Sequence, residues 1–301
     1  MLTSLLTLYI ASSLEPDLEL YSENIGTKST FRTASLSFSN LTETKNIPLK
    51  DPEMIAPIIG AKSAISVDME SGEILFEENA HDRLQIASIT KLMTILIILE
   101  ENRFDDIAKV SKNASTTEGS TMHLVAGEEI IIKNLLYGAL INSANDAAVA
   151  LAEYNAGNVG AFVEKMNLRA GELGLLNTHF SNPVGLDNKQ NYSSAYDLSR
   201  LANYVYNNKF IQEAAIIKNL EVKSANSKYT HNLSSTNELL DSYLNIKGLK
   251  TGKTAMAGQC LVAVAENESG KEVITIVLDS PNRFEESKIL IDWVFRAYNW
   301  L

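Results

Sequence analysis

Leu92-Met-Thr-Ile-Leu-Ile-Ile-Leu99 lies in a stretch, Ser88 to Asn102, that reads as a helix, and its centre is apolar on nearly every side. Such a helix must be enclosed by other elements, since each large apolar side chain left in water forfeits about 1.5–3 kcal/mol. The chain around it therefore has to build a sizeable core. With 301 residues, 45% of them apolar and only 6 prolines, it can do so as one large domain with a tail or as two small domains.

The flanking patterns say what encloses the helix. Ser63–Asp68 and Glu73–Phe76, joined by the turn Glu70-Ser-Gly72, read as a β-hairpin. Helical periods follow at Ile132–Tyr154, Val159–Leu173 and Ala195–Asn207. Strand signals return at Ile246–Thr251, Cys260–Glu266 and Val273–Leu278, before a closing helix from Glu285 to Tyr298. Strands at both ends with helices between them imply one α+β domain whose sheet draws on both ends of the chain. Short connections between the last three strands make that sheet mainly antiparallel.

The N-terminal part has a different texture. Leu2 to Ala11 is mostly apolar and Ala11-Ser-Ser13 offers small residues for cleavage, as in a short export signal. No Lys or Arg precedes Lys28, so the positive flank is missing; a frayed or misassigned start is the plainer alternative. The run is also short of the ~20 residues of a spanning helix. From Ser22 to Asn46, thirteen of twenty-five residues are Ser, Thr or Asn, too polar to offset the entropy of ordering. Thr33–Ser39 alternates like a strand without an evident partner. Residues 1–57 are expected to form a signal or anchor plus tether, closed by Pro48, Pro52 and Pro57, with the domain proper spanning 58–301.

Composition removes some functions. A net charge of −11 argues against nucleic acid, whose phosphates need a basic face. The lone Cys260, inside the apolar run to Ala265, excludes an internal disulfide and reads as a buried strand thiol. His81, His123, His179 and His231 show no paired-ligand spacing, so neither metal nor cofactor is expected.

Three short patterns carry chemistry. In Ser88-Ile-Thr-Lys91 a spacing of three brings the hydroxyl and amine onto one helical face. A serine needs a base to become a nucleophile, and a lysine serves only if burial and a second cation lower its pKa. The helix start also offers N–H groups to an oxyanion. A capping serine beside a surface lysine is the plainer alternative. Ser143-Ala-Asn145 stands at a helix end; Ser22, Ser111, Ser224 and Ser235 also begin an S-x-N, so the pattern is weak and simple capping would explain it. Lys250-Thr-Gly252 is the chain's only K-T-G and lies on a strand, where glycine lets a ligand approach the backbone. An exposed strand end with an ordinary lysine is the alternative there.

The order of the three, with the only S-x-x-K of the chain first, is that of penicillin-binding proteins and class A β-lactamases, where S-D-N is the middle member. Longer segments resemble the low-molecular-weight D-alanyl-D-alanine carboxypeptidases: Ala87–Thr94, Gly119–Glu129, Leu135–Gly138, Asn145–Ala147, Thr178–Leu186, Tyr192–Leu198 and Gly248–Gly252. The resemblance extends over roughly Ala61 to Leu301. It implies a β-lactamase/transpeptidase-like fold, with a five-stranded sheet flanked by helices on both faces. It implies cleavage of the terminal D-alanine of peptidoglycan stem peptides, and covalent inhibition by β-lactams. Ser88 would be the nucleophile, Lys91 its base and Ser143 the proton relay. Asn145 would hold the substrate backbone, and the N–H groups of Ser88 and Lys253 would form the oxyanion hole. Lys250, Thr251 and Arg283, beside Gly252, would take the free carboxylate. The enzyme would act outside the cytoplasm.

Two departures stand out. Ala144 replaces a glycine common in the middle motif, and the chain stops at Leu301 without the β-rich second domain of many relatives, so a membrane tether would have to be N-terminal. Two rivals remain open at this point. A class A-like β-lactamase would need a carboxylate to activate water, which Glu172-Leu-Gly-Leu-Leu-Asn177 superficially offers. A catalytically dead peptidoglycan-binding protein would keep the fold and lose a motif residue.

Overall fold

Five strands form one sheet in the order Ile246–Thr254 (β3), Gly258–Glu266 (β4), Glu272–Ser280 (β5), Ser63–Asp68 (β1) and Ile74–Glu78 (β2). Every pairing is antiparallel, where the sequence pointed to a mainly antiparallel sheet. The computed structural model describes residues 47–300; the expected export signal, the strand-like Thr33–Ser39 and most of the tether lie outside them.

The sheet is covered on both faces, and β4 shows why its sequence is apolar without alternation. Cys260, Val262 and Val264 pack into the larger core, while Leu261, Ala263 and Ala265 pack into the smaller one. The smaller core lies under the closing helix Arg283–Ala297 (α7), which contributes Leu290, Ile291, Trp293 and Val294. The larger core holds the apolar helix, Lys91–Glu101 (α1), whose residues Lys91 to Ile98 are all buried. Ile132–Leu140 (α2), Asn145–Ala156 (α3), Val159–Glu172 (α4) and Ala195–Tyr206 (α5) surround it. Thr94, the polar residue of the run, donates its hydroxyl to the Pro183 carbonyl at 2.7 Å, so enclosure leaves no unmet hydroxyl there.

The structure departs from the expected elements in four places. The helical period at Ile132–Tyr154 is two helices, broken at Ser143, whose φ of 54° is left-handed. The Asn145 N–H donates to Ser120 O at 2.6 Å instead of continuing the helix ladder. The α1 helix is preceded by a tight 3-10 turn over Ala87–Thr90, which carries Ser88. A short helix, Lys209–Ala215 (α6), and a mostly exposed hairpin, Asn219–Lys223 with Thr230–Ser234, follow α5; their weak apolar patterning gave no signal.

The fourth departure is the domain start. Leu49–Lys50 pairs with Tyr298–Asn299, the Asp51 N–H donates to Ala297 O at 2.7 Å, and Met54 packs on the smaller core. The folded unit therefore begins upstream of Ile58, because Pro48 and Pro52 only flank a two-residue strand rather than end the fold. A chain beginning at Ile58 should melt at least about 5 °C below one beginning at Ile47, as a loss of about 2 kcal/mol would give at this size. Equal melting temperatures by circular dichroism would show that this strand contributes nothing.

Candidate active site

The 3-10 turn, the break between α2 and α3, and the edge strand β3 meet at one cleft of about 330 Å³. Ser88, Ser143, Asn145, Thr251, Gly252, Lys253 and Arg283 line it, and Lys91 and Lys250 are buried, with 0% and 1% of their surface exposed. All nine residues singled out in the sequence thus belong to this cleft or to the core against it.

Lys91 makes three contacts. Its Nζ lies 2.9 Å from Ser88 Oγ, 2.6 Å from Asn145 Oδ1 and 2.8 Å from the Val184 carbonyl. The Asn145 amide is oriented by its Nδ2, which donates to Glu118 O at 2.6 Å, so its oxygen faces the amine. Burial pushes the Lys91 pKa well below its ordinary value; Lys250 lowers it further, and the Asp146 carboxylate opposes this. Val184 O and Asn145 Oδ1 can only accept. A neutral amine must therefore give its two N–H bonds to them and turn its lone pair to Ser88, the one partner with a proton to donate. That is the geometry of a general base on a serine hydroxyl. A capping serine with a surface lysine would show neither the burial nor these partners.

Two residues here hold left-handed backbone without being glycine, Ala87 at φ 47° and Ser143 at φ 54°. At the first, Gly185 crosses so closely that a Cβ on it would overlap the Ala87 carbonyl oxygen. A Cβ on Gly252 would lie 3.0 Å from Ile86 O and 3.1 Å from Ser88 N, so β3 runs directly against the nucleophile turn. At the second, the loop Glu118–Glu128 supports the turn: Ser120 Oγ donates to Asn142 O at 2.7 Å, and Asp146 accepts from Met122 and Leu124 N–H at 3.0 Å each. Behind it, buried His231 donates from Nδ1 to Met122 O at 2.8 Å and sets Nε2 2.7 Å from Glu128 Oε1.

Lys250 lies on β3 with its side chain buried, and burial, aided by the charge of Arg283, lowers its pKa to about 7. Arg283 begins α7 and donates from Nη1 to Gly252 O at 2.7 Å, which holds the guanidinium at the cleft. Lys253 is exposed at the mouth. Glu172, offered as a water-activating carboxylate, instead pairs with Arg169 at 2.9 Å, and among the described residues lining the cleft there is no Asp or Glu.

Sequence reasoning passed over two contributors. Val184 and Gly185 belong to Asn182-Pro-Val-Gly185, whose Asn182 Oδ1 accepts from the N–H groups of Val184, Gly185 and Leu186; the Asn-Pro-x-Gly turn signature could have marked it. Thr236 stood within Ser235-Thr-Asn237, one of the further S-x-N matches that made the pattern weak, yet it lines the cleft.

The D-alanyl-D-alanine carboxypeptidase family of serine peptidases (peptidase S11) matches residues 51–282. The chain is similar to the D-alanyl-D-alanine carboxypeptidases DacF of Bacillus subtilis (35% identical, over 79% of this chain) and DacC of Escherichia coli (36%, over 81%). It spans 63% of the length of each of these curated relatives. Among solved structures, the Streptomyces K15 DD-transpeptidase superposes with a TM-score of 0.76 at 31% identity, covering 80% of this chain and 99% of that one.

The buried amines make stability depend on pH. Folded Lys250 titrates near 7 and an unfolded one near 10.5, so in that window the unfolded chain binds more protons and stability rises with pH. Below about 7 the destabilisation is fully present. Lys250→Met should flatten the rise of Tm between about pH 7 and pH 9 and raise Tm at pH 7. An unchanged slope in thermal melts would mean that the amine is not held uncharged.

Proposed function

Because the chain belongs to the D-alanyl-D-alanine carboxypeptidase family of serine peptidases, we propose that it removes the terminal D-alanine from peptidoglycan stem peptides through an acyl-enzyme on Ser88. The observation that carries this reading is the enclosed Lys91 amine, 2.9 Å from the Ser88 hydroxyl and otherwise facing only acceptors.

The substrate's C-terminal residues lie along the outer edge of β3. Arg283 and Thr251 take the free carboxylate, and Lys250, whose pKa of about 7 leaves it part-protonated at neutral pH, gains its proton more readily as the anion arrives. The penultimate carbonyl oxygen receives the N–H groups of Ser88 and Lys253. Ser88 Oγ attacks that carbonyl as its proton passes to Lys91. Ser143 relays the proton to the departing amine, and free D-alanine leaves as the ester on Ser88 remains. Asn145 keeps Lys91 in place and has one amide N–H left for the substrate backbone. Water then hydrolyses the ester, restoring Ser88. A β-lactam offers a strained amide and a carboxylate at the same spacing and stops at the acyl stage. Since assembled peptidoglycan lies beyond the cytoplasmic membrane, the domain works on that side; an N-terminal membrane tether belongs to the same proposal.

Incubation with fluorescent penicillin, followed by peptide mapping, tests this directly. Ser88→Ala should abolish labelling without loss of fold, and an adduct on any other residue would sink the mechanism. Lys91→Arg keeps the charge but cannot accept a proton, so acylation should slow at least about a hundredfold. Arg283→Ala should lower kcat/KM for a diacetyl-Lys-D-Ala-D-Ala peptide by about 1.5–3 kcal/mol, measured as D-alanine release. Equal kcat/KM values would remove Arg283 from carboxylate recognition.

A further inference from the structure

A second hydroxyl stands beside the motif threonine. Thr236 Oγ1 lies 2.5 Å from Thr251 Oγ1, and both residues line the cleft together with Arg283. Thr236 belongs to none of the three motifs. It arrives on the segment after the strand Thr230–Ser234, and its backbone N–H donates at 3.2 Å to Ile141 O, two residues before Ser143. It thereby joins the middle-motif turn to the edge strand.

Two hydroxyls linked by one hydrogen bond hold two protons and use one between them. Whichever threonine donates inward, one O–H is left over for an acceptor in the cleft. Thr251 alone has a single proton, which a water or a carbonyl could take and turn away from a ligand. The neighbouring charge fits an anionic acceptor: the Arg283 guanidinium lines the same cleft, held there by Nη1 donating to Gly252 O at 2.7 Å.

We propose that Thr236 is a positioning residue for the substrate's terminal carboxylate, holding Thr251 so that the hydroxyl pair always presents a donor. This rests on the carboxypeptidase reading above and extends it to a residue outside the motifs. The competing role is a mere strap between two segments, which would affect every ligand of Ser88 alike.

The two roles separate when the carboxylate is masked. The rate of Ser88 acylation is measured with benzylpenicillin and with its methyl ester, for the unmodified full chain, Thr236→Val and Thr236→Ser. Thr236→Val keeps the shape and loses the hydroxyl, and should cut the preference for the free acid about tenfold, the scale of one charge-assisted hydrogen bond. Thr236→Ser keeps the hydroxyl and should hold that preference within about threefold. Melting temperatures identify a variant that fails to fold. An unchanged preference in Thr236→Val, or its collapse in Thr236→Ser while the protein stays folded, would overturn the inference. Should Thr236→Val unfold, Thr236→Ala takes its place, with the same expected loss of preference, about tenfold, and the same overturning result. Absence of any Ser88 adduct in the unmodified chain would overturn the carboxypeptidase reading itself, whereas an adduct with unaltered preference overturns only the role of Thr236.

Discussion

An amine with no exposed surface has to find every partner inside the protein, and the cleft is arranged around how Lys91 does so. The Val184 carbonyl reaches it because Asn182 gathers three successive N–H groups into a turn, and because Gly185 lacks a side chain where the turn passes Ala87. The Asn145 oxygen reaches it because Glu118 fixes the other end of that amide, and Gly119 leaves the room, since a Cβ there would lie 2.6 Å from Asn145 Nδ2. Three remote segments are thus committed to one nitrogen. The remaining approach is open to Ser88.

Such an arrangement costs backbone strain, about 1–3 kcal/mol for each left-handed residue such as Ala87 and Ser143. The enclosed helix α1 offsets it. Leu92, Met93, Ile95, Ile97 and Ile98 are at most 1% exposed, and each contributes on the order of 1.5–3 kcal/mol by burial. The apolar run that made the sequence legible is therefore also the rigid base on which Lys91 is carried into the core.

Legibility followed how local each feature is. The two-faced strands and the buried helix were readable because burial leaves a continuous apolar run, and the three motifs because they are contiguous. The burial of Lys91 followed only from the role of base assigned to it, since by itself a lysine reads as a surface residue until its surroundings are assembled. The helix break at Ser143 escaped because Asn142-Ser-Ala-Asn145 has neither glycine nor proline; it is imposed by Ser120, 22 residues before Asn142, and the loop around it. Thr236 was invisible for the same reason, as its partner Thr251 lies across the connection between two sheets. The strand at Leu49–Lys50 exists only because Tyr298–Asn299 is there to receive it. What the sequence withheld was long-range pairing.

The sheet order carries a consequence for how the molecule comes into being. Ser66 on β1 meets Thr275 on β5 across 209 residues of chain, and β1 lies between β5 and β2. During synthesis β1 waits with only its hairpin partner until Glu272–Ser280 has emerged, and contacts of this separation close slowly. Until then the apolar helix has no completed sheet to close over it. The timing of the last strands, more than any local preference, sets the moment at which Lys91 first leaves water.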